Sequence, residues 1–127
     1  MFRIFITLTL AALLQLSGVA AFAQTSDTAK VVFYRSSQDS GGKTYALTTR
    51  NQQIAKLKKG EKFEQNLAPG TYYYMADPST KHVLKLEVQA GQTYYVRAGR
   101  DDDYFDGQPS LRLTSVQEYQ QALAANN

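Results

Sequence analysis

Hydrophobic and polar residues alternate through most of the chain after residue 28, and turn-forming residues separate the alternating runs. The clearest period lies in KHVLKLEVQ (81–89), where one face carries His82, Leu84, Leu86 and Val88 and the other is mostly polar. A period of two places successive side chains on opposite sides of a strand. This stretch is therefore predicted to be a half-buried β-strand.

Eight short runs of this kind predict an all-β protein. They lie at 29–35, 44–50, 54–57, 62–67, 71–76, 81–89, 92–98 and 109–114. The first, AKVVFYR, is apolar on both faces, which favours a central strand. The second and third are expected to form a hairpin joined by Asn51, Gln52 and Gln53. The spacing is typical of an antiparallel β-sandwich, prealbumin-like or immunoglobulin-like, with about seven or eight strands.

The period changes near the C-terminus, where Val116, Tyr119 and Leu123 recur at helical spacing. Ser115 and Glu118 form a Ser-x-x-Glu capping box at the start of this stretch. We therefore expect a single domain over 29–127 that ends in a short helix, whose Val/Tyr/Leu stripe packs on the sandwich.

The first 23 residues have the pattern of a secretory signal peptide. Arg3 precedes an apolar run at 4–16, and Ala21-Phe22-Ala23 has the small-x-small form of a cleavage site. The apolar run is shorter than the ~20 residues that a membrane-spanning helix needs. Cleavage is expected, with an uncleaved anchor as the alternative, and residues 24–28 are expected to form a polar, flexible leader.

Composition narrows the class of protein further. Removal of 23 of the 127 residues leaves 104, enough for one domain with a single core. The net charge of +3 includes Arg3, so the mature chain carries +2, which does not favour nucleic-acid binding. The chain has no cysteine, which excludes disulfides and a cysteine-linked lipid anchor. These features predict a periplasmic or secreted protein without a transmembrane segment after signal cleavage.

Four stretches together resemble the pattern of one bacterial envelope family. They are FYRSS (33–37), IAKLKKGEKFEQNLAPGTYYY (54–74), LKLEVQAGQTYYVR (84–97) and YFDGQPSLRL (104–113). In these stretches the chain resembles the domain-of-unknown-function family 2846, over roughly residues 29–123. The resemblance implies an exported, often membrane-tethered, prealbumin-like sandwich with no established activity. The chain departs from the pattern in lacking a lipobox cysteine and in the acidic loop before YFDG.

The stretch RDDDYFDG (100–107) raises the question of a metal site. Calcium is bound by convergent carboxylate oxygens, so Asp101, Asp103 and Asp106 are the candidate ligands. The spacing does not match the ligand positions of an EF-hand loop in either register. The alternative, which we favour, is a solvated loop whose carboxylates are balanced by nearby arginines.

Five tyrosines on two predicted strands are the candidate binding residues: Tyr72, Tyr73, Tyr74, Tyr94 and Tyr95. Neighbouring residues on a strand face opposite sides, so at least one side chain of each group faces away from the core. Tyrosine is enriched at interfaces. We expect an exposed patch that contains Tyr73 and Tyr94; the alternative is that these tyrosines only fill half-buried faces.

Other polar residues give weaker indications of chemistry. His82 is the only histidine, which excludes a histidine-rich metal site, and no serine lies in a nucleophile-elbow context. Lys56, Lys58, Lys59 and Lys62 surround a predicted turn, either as a solvated turn or as a contact for an anionic lipid or polymer.

The sequence thus predicts an exported, non-enzymatic binding or adaptor domain of the cell envelope. Its partner would be a protein or a surface polymer, bound through a tyrosine-bearing face or an exposed edge strand. No cofactor is expected. The alternative function is a small-ligand or calcium-dependent glycan binder that uses the acidic loop 101–106. An enzymatic function is not expected, because the sequence offers no identifiable set of nucleophile, base and orienting group.

Overall fold

The computed structural model describes residues 27–100 and 108–125. The predicted signal peptide (1–23), the start of the predicted leader and the acidic residues 101–107 lie outside this range. Within it, the chain forms two β-sheets packed face to face and one C-terminal helix. The predicted all-β sandwich is confirmed.

Eight strands and one helix make up the fold. The strands are β1 (Ala29–Tyr34), β2 (Tyr45–Thr49), β3 (Gln52–Leu57), β4 (Lys62–Leu67), β5 (Gly70–Met75), β6 (Val83–Val88), β7 (Thr93–Arg100) and β8 (Pro109–Thr114), and the helix is α1 (Val116–Ala125). In the described part of the chain, no helix is both long enough and apolar enough to cross a membrane.

The first sheet has the strand order β4-β1-β7-β8 and the second β3-β2-β5-β6. All neighbouring strands are antiparallel except β1 and β7, which run parallel. Val31 of β1 lies opposite Gln65 on one side and Tyr94 on the other. The central position predicted for the first strand is therefore confirmed.

The main core fills the space between the two sheets. Its fully buried side chains include Val31, Phe33, Tyr45, Leu47, Leu57, Tyr74 and Val96. Phe33 of the first sheet meets Tyr74 of the second edge to face, with ring centroids 4.9 Å apart. Burial of a large apolar side chain stabilises a fold by about 1.5–3 kcal/mol, so this layer holds the sheets together without disulfides.

Helix α1 covers the outer face of the first sheet. The Tyr119 ring lies 5.0 Å from that of Tyr34 and 4.7 Å from that of Tyr95, in a second small core. The predicted packing stripe is wrong in part, because Val116 and Leu123 are exposed. The face that packs carries Tyr119 and Ala122, three residues apart and so on one side of the helix.

The capping box is half formed. Ser115 Oγ accepts a hydrogen bond of 3.1 Å from the Glu118 N–H, as a cap residue should. The Glu118 carboxylate accepts hydrogen bonds from the Arg112 guanidinium, the shorter one 2.7 Å, and lies 3.5 Å from Arg97. The hydrogen bond from Arg112 lowers the pKa of Glu118. Glu118 therefore ties the helix to the sheet.

The β2–β3 hairpin is tighter than predicted. Thr49 pairs with Gln52, which leaves a two-residue loop of Arg50 and Asn51 with φ of 49° and 63°. Two positive φ values mark a type I′ turn, whose twist matches that of the flanking strands. The predicted connection at Asn51, Gln52 and Gln53 is wrong, since the last two already belong to β3.

Candidate functional site

The five candidate tyrosines have different environments. Tyr72 and Tyr74 point into the inter-sheet core, where their hydroxyls donate to the Ala68 carbonyl (2.7 Å) and to Gln65 Oε1 (3.0 Å). Burial raises the pKa of Tyr74 to about 12, with a further contribution from Tyr72. Both hydroxyls are thus satisfied within the domain.

The two tyrosines of β7 also pack within the protein. Tyr94 lies against the inter-sheet core, and its hydroxyl accepts a 2.9 Å hydrogen bond from the Gln89 N–H. Tyr95, on the other face, packs under helix α1 against Tyr119. Tyr73 belongs to the other sheet and points outward, so the single Tyr73–Tyr94 patch predicted from the sequence is wrong.

Tyr73 is the exposed member of the set, at 47% of its full accessibility. It lies opposite Lys85, and the next pair along the same face is Met75 with Val83, which is 56% exposed. We call Tyr73, Met75 and Val83 the outer patch. It lies on the outer face of the second sheet, whereas the corresponding face of the first sheet is covered by α1.

The other predicted sites gain little from the structure. Asp101, Asp103 and Asp106 lie outside the described residues, so the calcium hypothesis stays a prediction. Over 27–100 and 108–125, no group of three metal-ligating side chains occurs. His82 is half-buried just before β6, and its backbone N–H donates to Thr80 Oγ1 at 3.1 Å.

A buried ion pair, not foreseen from the sequence, anchors the loop between β1 and β2. Arg35 and Asp39 have side chains only 1% and 2% exposed, and Arg35 Nε lies 3.0 Å from Asp39 Oδ2. The remaining guanidinium nitrogens donate to three carbonyls: Lys43 at 2.6 Å, Leu57 at 2.9 Å and Gly41 at 3.0 Å. The guanidinium also stacks 3.6 Å from the Tyr45 ring centroid.

Asp39 is bonded as fully as its partner. Its carboxylate accepts hydrogen bonds from the Tyr45 hydroxyl (2.9 Å), the Gly41 N–H (3.3 Å) and the Arg100 N–H (3.0 Å). Burial, and then the hydrogen bond to Asp39, raise the pKa of Tyr45 to about 12. The pair therefore fixes the loop 36–44 to both sheets, because Arg100 ends β7 and Tyr45 begins β2.

Shallow concavities flank this anchored loop. One of about 300 Å³ is lined by Arg35, Gly42, Lys43, Thr44, Lys58 and Lys59, and a neighbour of about 410 Å³ by Thr44, Ala46, Lys56, Lys58 and Glu61. They share Thr44 and Lys58, and we call the combined surface the basic trough. A third concavity, of about 290 Å³, is lined partly by Gly41, Gly42 and Lys43.

Asp77 holds the start of β2 beside these concavities. Burial alone would raise its pKa, but hydrogen bonds from the Ala46 N–H, the Ser79 hydroxyl and N–H, and the Lys43 ammonium outweigh it and lower the pKa to about 2. A depressed folded-state pKa contributes stability above the unfolded value, 3.8, that is lost as the pH falls through about 2.

We expect this carboxylate to contribute about 2 kcal/mol to the free energy of unfolding at neutral pH, most of it lost as the pH falls from about 5 to about 2. Urea unfolding of the parent and of Asp77→Asn across that range gives the free energy of unfolding as a function of pH. The effect appears as a difference between the two proteins in the slope of that dependence. Glu87→Gln, at an exposed carboxylate, is the control and should keep the parental slope. Equal slopes for the parent and Asp77→Asn would contradict the assignment.

Comparison of the chain with models of known protein families, with curated proteins and with solved structures finds no match.

Proposed function

We propose that this protein is an exported, non-enzymatic binding domain of the bacterial envelope, and that it docks a protein partner on the outer patch. The observation that carries the proposal is the difference between the two outer sheet faces. Helix α1 covers one, while Tyr73 and Val83 stay exposed on the other. Export is supported by the signal-like N-terminus.

The composition of the outer patch favours a protein partner. Tyrosine and methionine are enriched at protein interfaces, where they supply large contact areas. The charges next to the patch compensate each other, because Lys85 Nζ lies 3.6 Å from Glu87 Oε2. A locally neutral, partly apolar surface suits the centre of a protein interface better than a polyanion.

A photocrosslinking amino acid at position 73 tests the proposal. The full-length protein would be expressed in its own cells with the crosslinker at position 73 or, as a control on the opposite side of the sandwich, at position 123. We expect one protein to crosslink to the chain from position 73 and not from position 123. The same protein, once purified, should bind the parent chain.

The matched variants are Tyr73→Ser with Val83→Ser, and Val116→Ser with Leu123→Ser, which remove exposed apolar side chains from the two opposite surfaces. The first pair should weaken binding of the purified partner at least tenfold, and the second should leave it unchanged. Crosslinks that are the same from both positions, or binding that survives the first pair, would refute docking at the outer patch.

A further inference from the structure

The strongest unassigned feature is the basic trough on the anchored loop and the β3–β4 turn. Lys56, Lys58 and Lys59 line it, and none of them makes an ion pair within the described residues. Three adjacent ammonium groups repel one another unless an anion lies between them. Their position on one concave wall thus creates a local positive field in a chain of low net charge.

The acidic groups nearby neutralise only part of this positive charge. The Glu61 carboxylate accepts a 2.9 Å hydrogen bond from the Lys58 backbone N–H, which closes the turn. Asp39 is paired with Arg35, and Asp77 with Lys43 at 2.9 Å. Asp39 and Asp77 are therefore balanced by their own cations, whereas Glu61 lines the trough and offsets one of the three lysine charges. The three lysines and Glu61 together leave a net positive charge on this wall.

The wall that carries the lysines is held in place before any ligand binds. The Gly60 N–H donates to the Arg35 carbonyl (2.8 Å), and the Arg35 N–H donates to the Glu61 carbonyl (3.0 Å). Gly60 has φ of 85°, which glycine adopts without strain. The Arg35 side chain also bonds to the Leu57 carbonyl, just before Lys58. A preorganised backbone reduces the entropy lost on binding.

We propose that the basic trough binds an extended, phosphate-bearing surface polymer, with Lys56, Lys58 and Lys59 each contacting a phosphate. Two adjoining concavities that share Thr44 and Lys58 suit successive anionic units of a chain. A bilayer is less suited, because the exposed large hydrophobic residues of the described part (Tyr73, Val83, Leu113, Val116 and Leu123) do not line the trough. This site is additional to the outer patch.

Calorimetric titration of the full chain with long-chain inorganic polyphosphate is the test. We expect the polymer to bind. The logarithm of its association constant should fall with the logarithm of the salt concentration with a slope of about −2, as three lysine–phosphate contacts require. The variant Lys56→Gln/Lys58→Gln/Lys59→Gln should bind at least about 30-fold more weakly. A control with the same change in charge, Lys30→Gln/Lys81→Gln/Lys85→Gln, should keep the parental affinity.

Three further binding measurements test the proposal, with monomeric phosphate, with the outer-patch variant and with anionic phospholipid vesicles. Monomeric phosphate should bind at least 100-fold more weakly than the polymer, since one phosphate meets one lysine at a time. The Tyr73→Ser/Val83→Ser variant should bind polyphosphate normally, which separates this site from the proposed function. No polyphosphate binding, equal losses in the two triple variants, or trough-dependent binding to anionic phospholipid vesicles in place of polyphosphate would each overturn it.

Discussion

Asp39→Ala is expected to lower the free energy of unfolding by about 3–5 kcal/mol, because it leaves the Arg35 guanidinium buried without a counter-charge. The pair has almost no contact with solvent, so water cannot replace the lost carboxylate. A small domain has a total stability of roughly 5–15 kcal/mol. Urea unfolding at low temperature should therefore show a large shift of the midpoint.

Two comparisons make this prediction specific. Lys30→Ala removes one partner of an ion pair whose side chains are about half exposed, Lys30 and Glu64 at 3.6 Å, and should cost less than about 1 kcal/mol. Arg35→Lys keeps the charge but cannot reach three carbonyls and stack on Tyr45, so it should lose several kcal/mol. If Asp39→Ala cost no more than Lys30→Ala, the buried pair would not be what anchors the loop.

Gly41→Ala is expected to destabilise the protein by about 3 kcal/mol, at the upper end of the range for overpacking. A Cβ atom at Gly41 would overlap the hydroxyl oxygen of Tyr45 and lie 3.0 Å from Asp39 Oδ2. Neither neighbour can move freely, since both belong to the buried network around Arg35. Thermal unfolding should show a fall in Tm of more than about 10 °C.

The adjacent glycine supplies the control. A Cβ at Gly42 meets no atom within 4 Å, so Gly42→Ala should leave Tm within about 2 °C of the parent. Combining Gly41→Ala with Tyr45→Phe removes the overlapped oxygen, and the double variant should be less destabilised than the sum of the single variants. Strict additivity would mean that the two residues are not in contact.

The strands could be predicted because their information is local. The alternation in 81–89 specifies a strand, and β6 does bury Leu86 and Val88 while it exposes Lys85 and Glu87. The same local pattern could not say which of Tyr73 and Tyr74 is inside, because the sheet must first be placed against its partner. Tyr95 is covered by α1, a contact between segments more than twenty residues apart.

The buried Arg35–Asp39 ion pair could not be predicted from the sequence, for a related reason. Arg35 follows an apolar strand and Asp39 lies in a Ser/Gly-rich loop, where charged residues usually face water. Their partners include the Leu57 carbonyl and the Arg100 N–H, which only the folded topology brings together. The two adjacent glycines of that loop are a local indication of close packing, and of the two only Gly41 is closely packed.

The parallel pairing of β1 with β7 also has a consequence for the order of folding. Of the described strands β1 is made first, yet the residues of its neighbour β7 that pair with it lie 63 positions further along the chain, as Lys30 and Thr93 do. Until then a segment with two apolar faces has an unpaired edge, the kind of segment that associates with other chains. Such distant pairings slow folding, and the first sheet cannot be completed before β7 and β8 have been made.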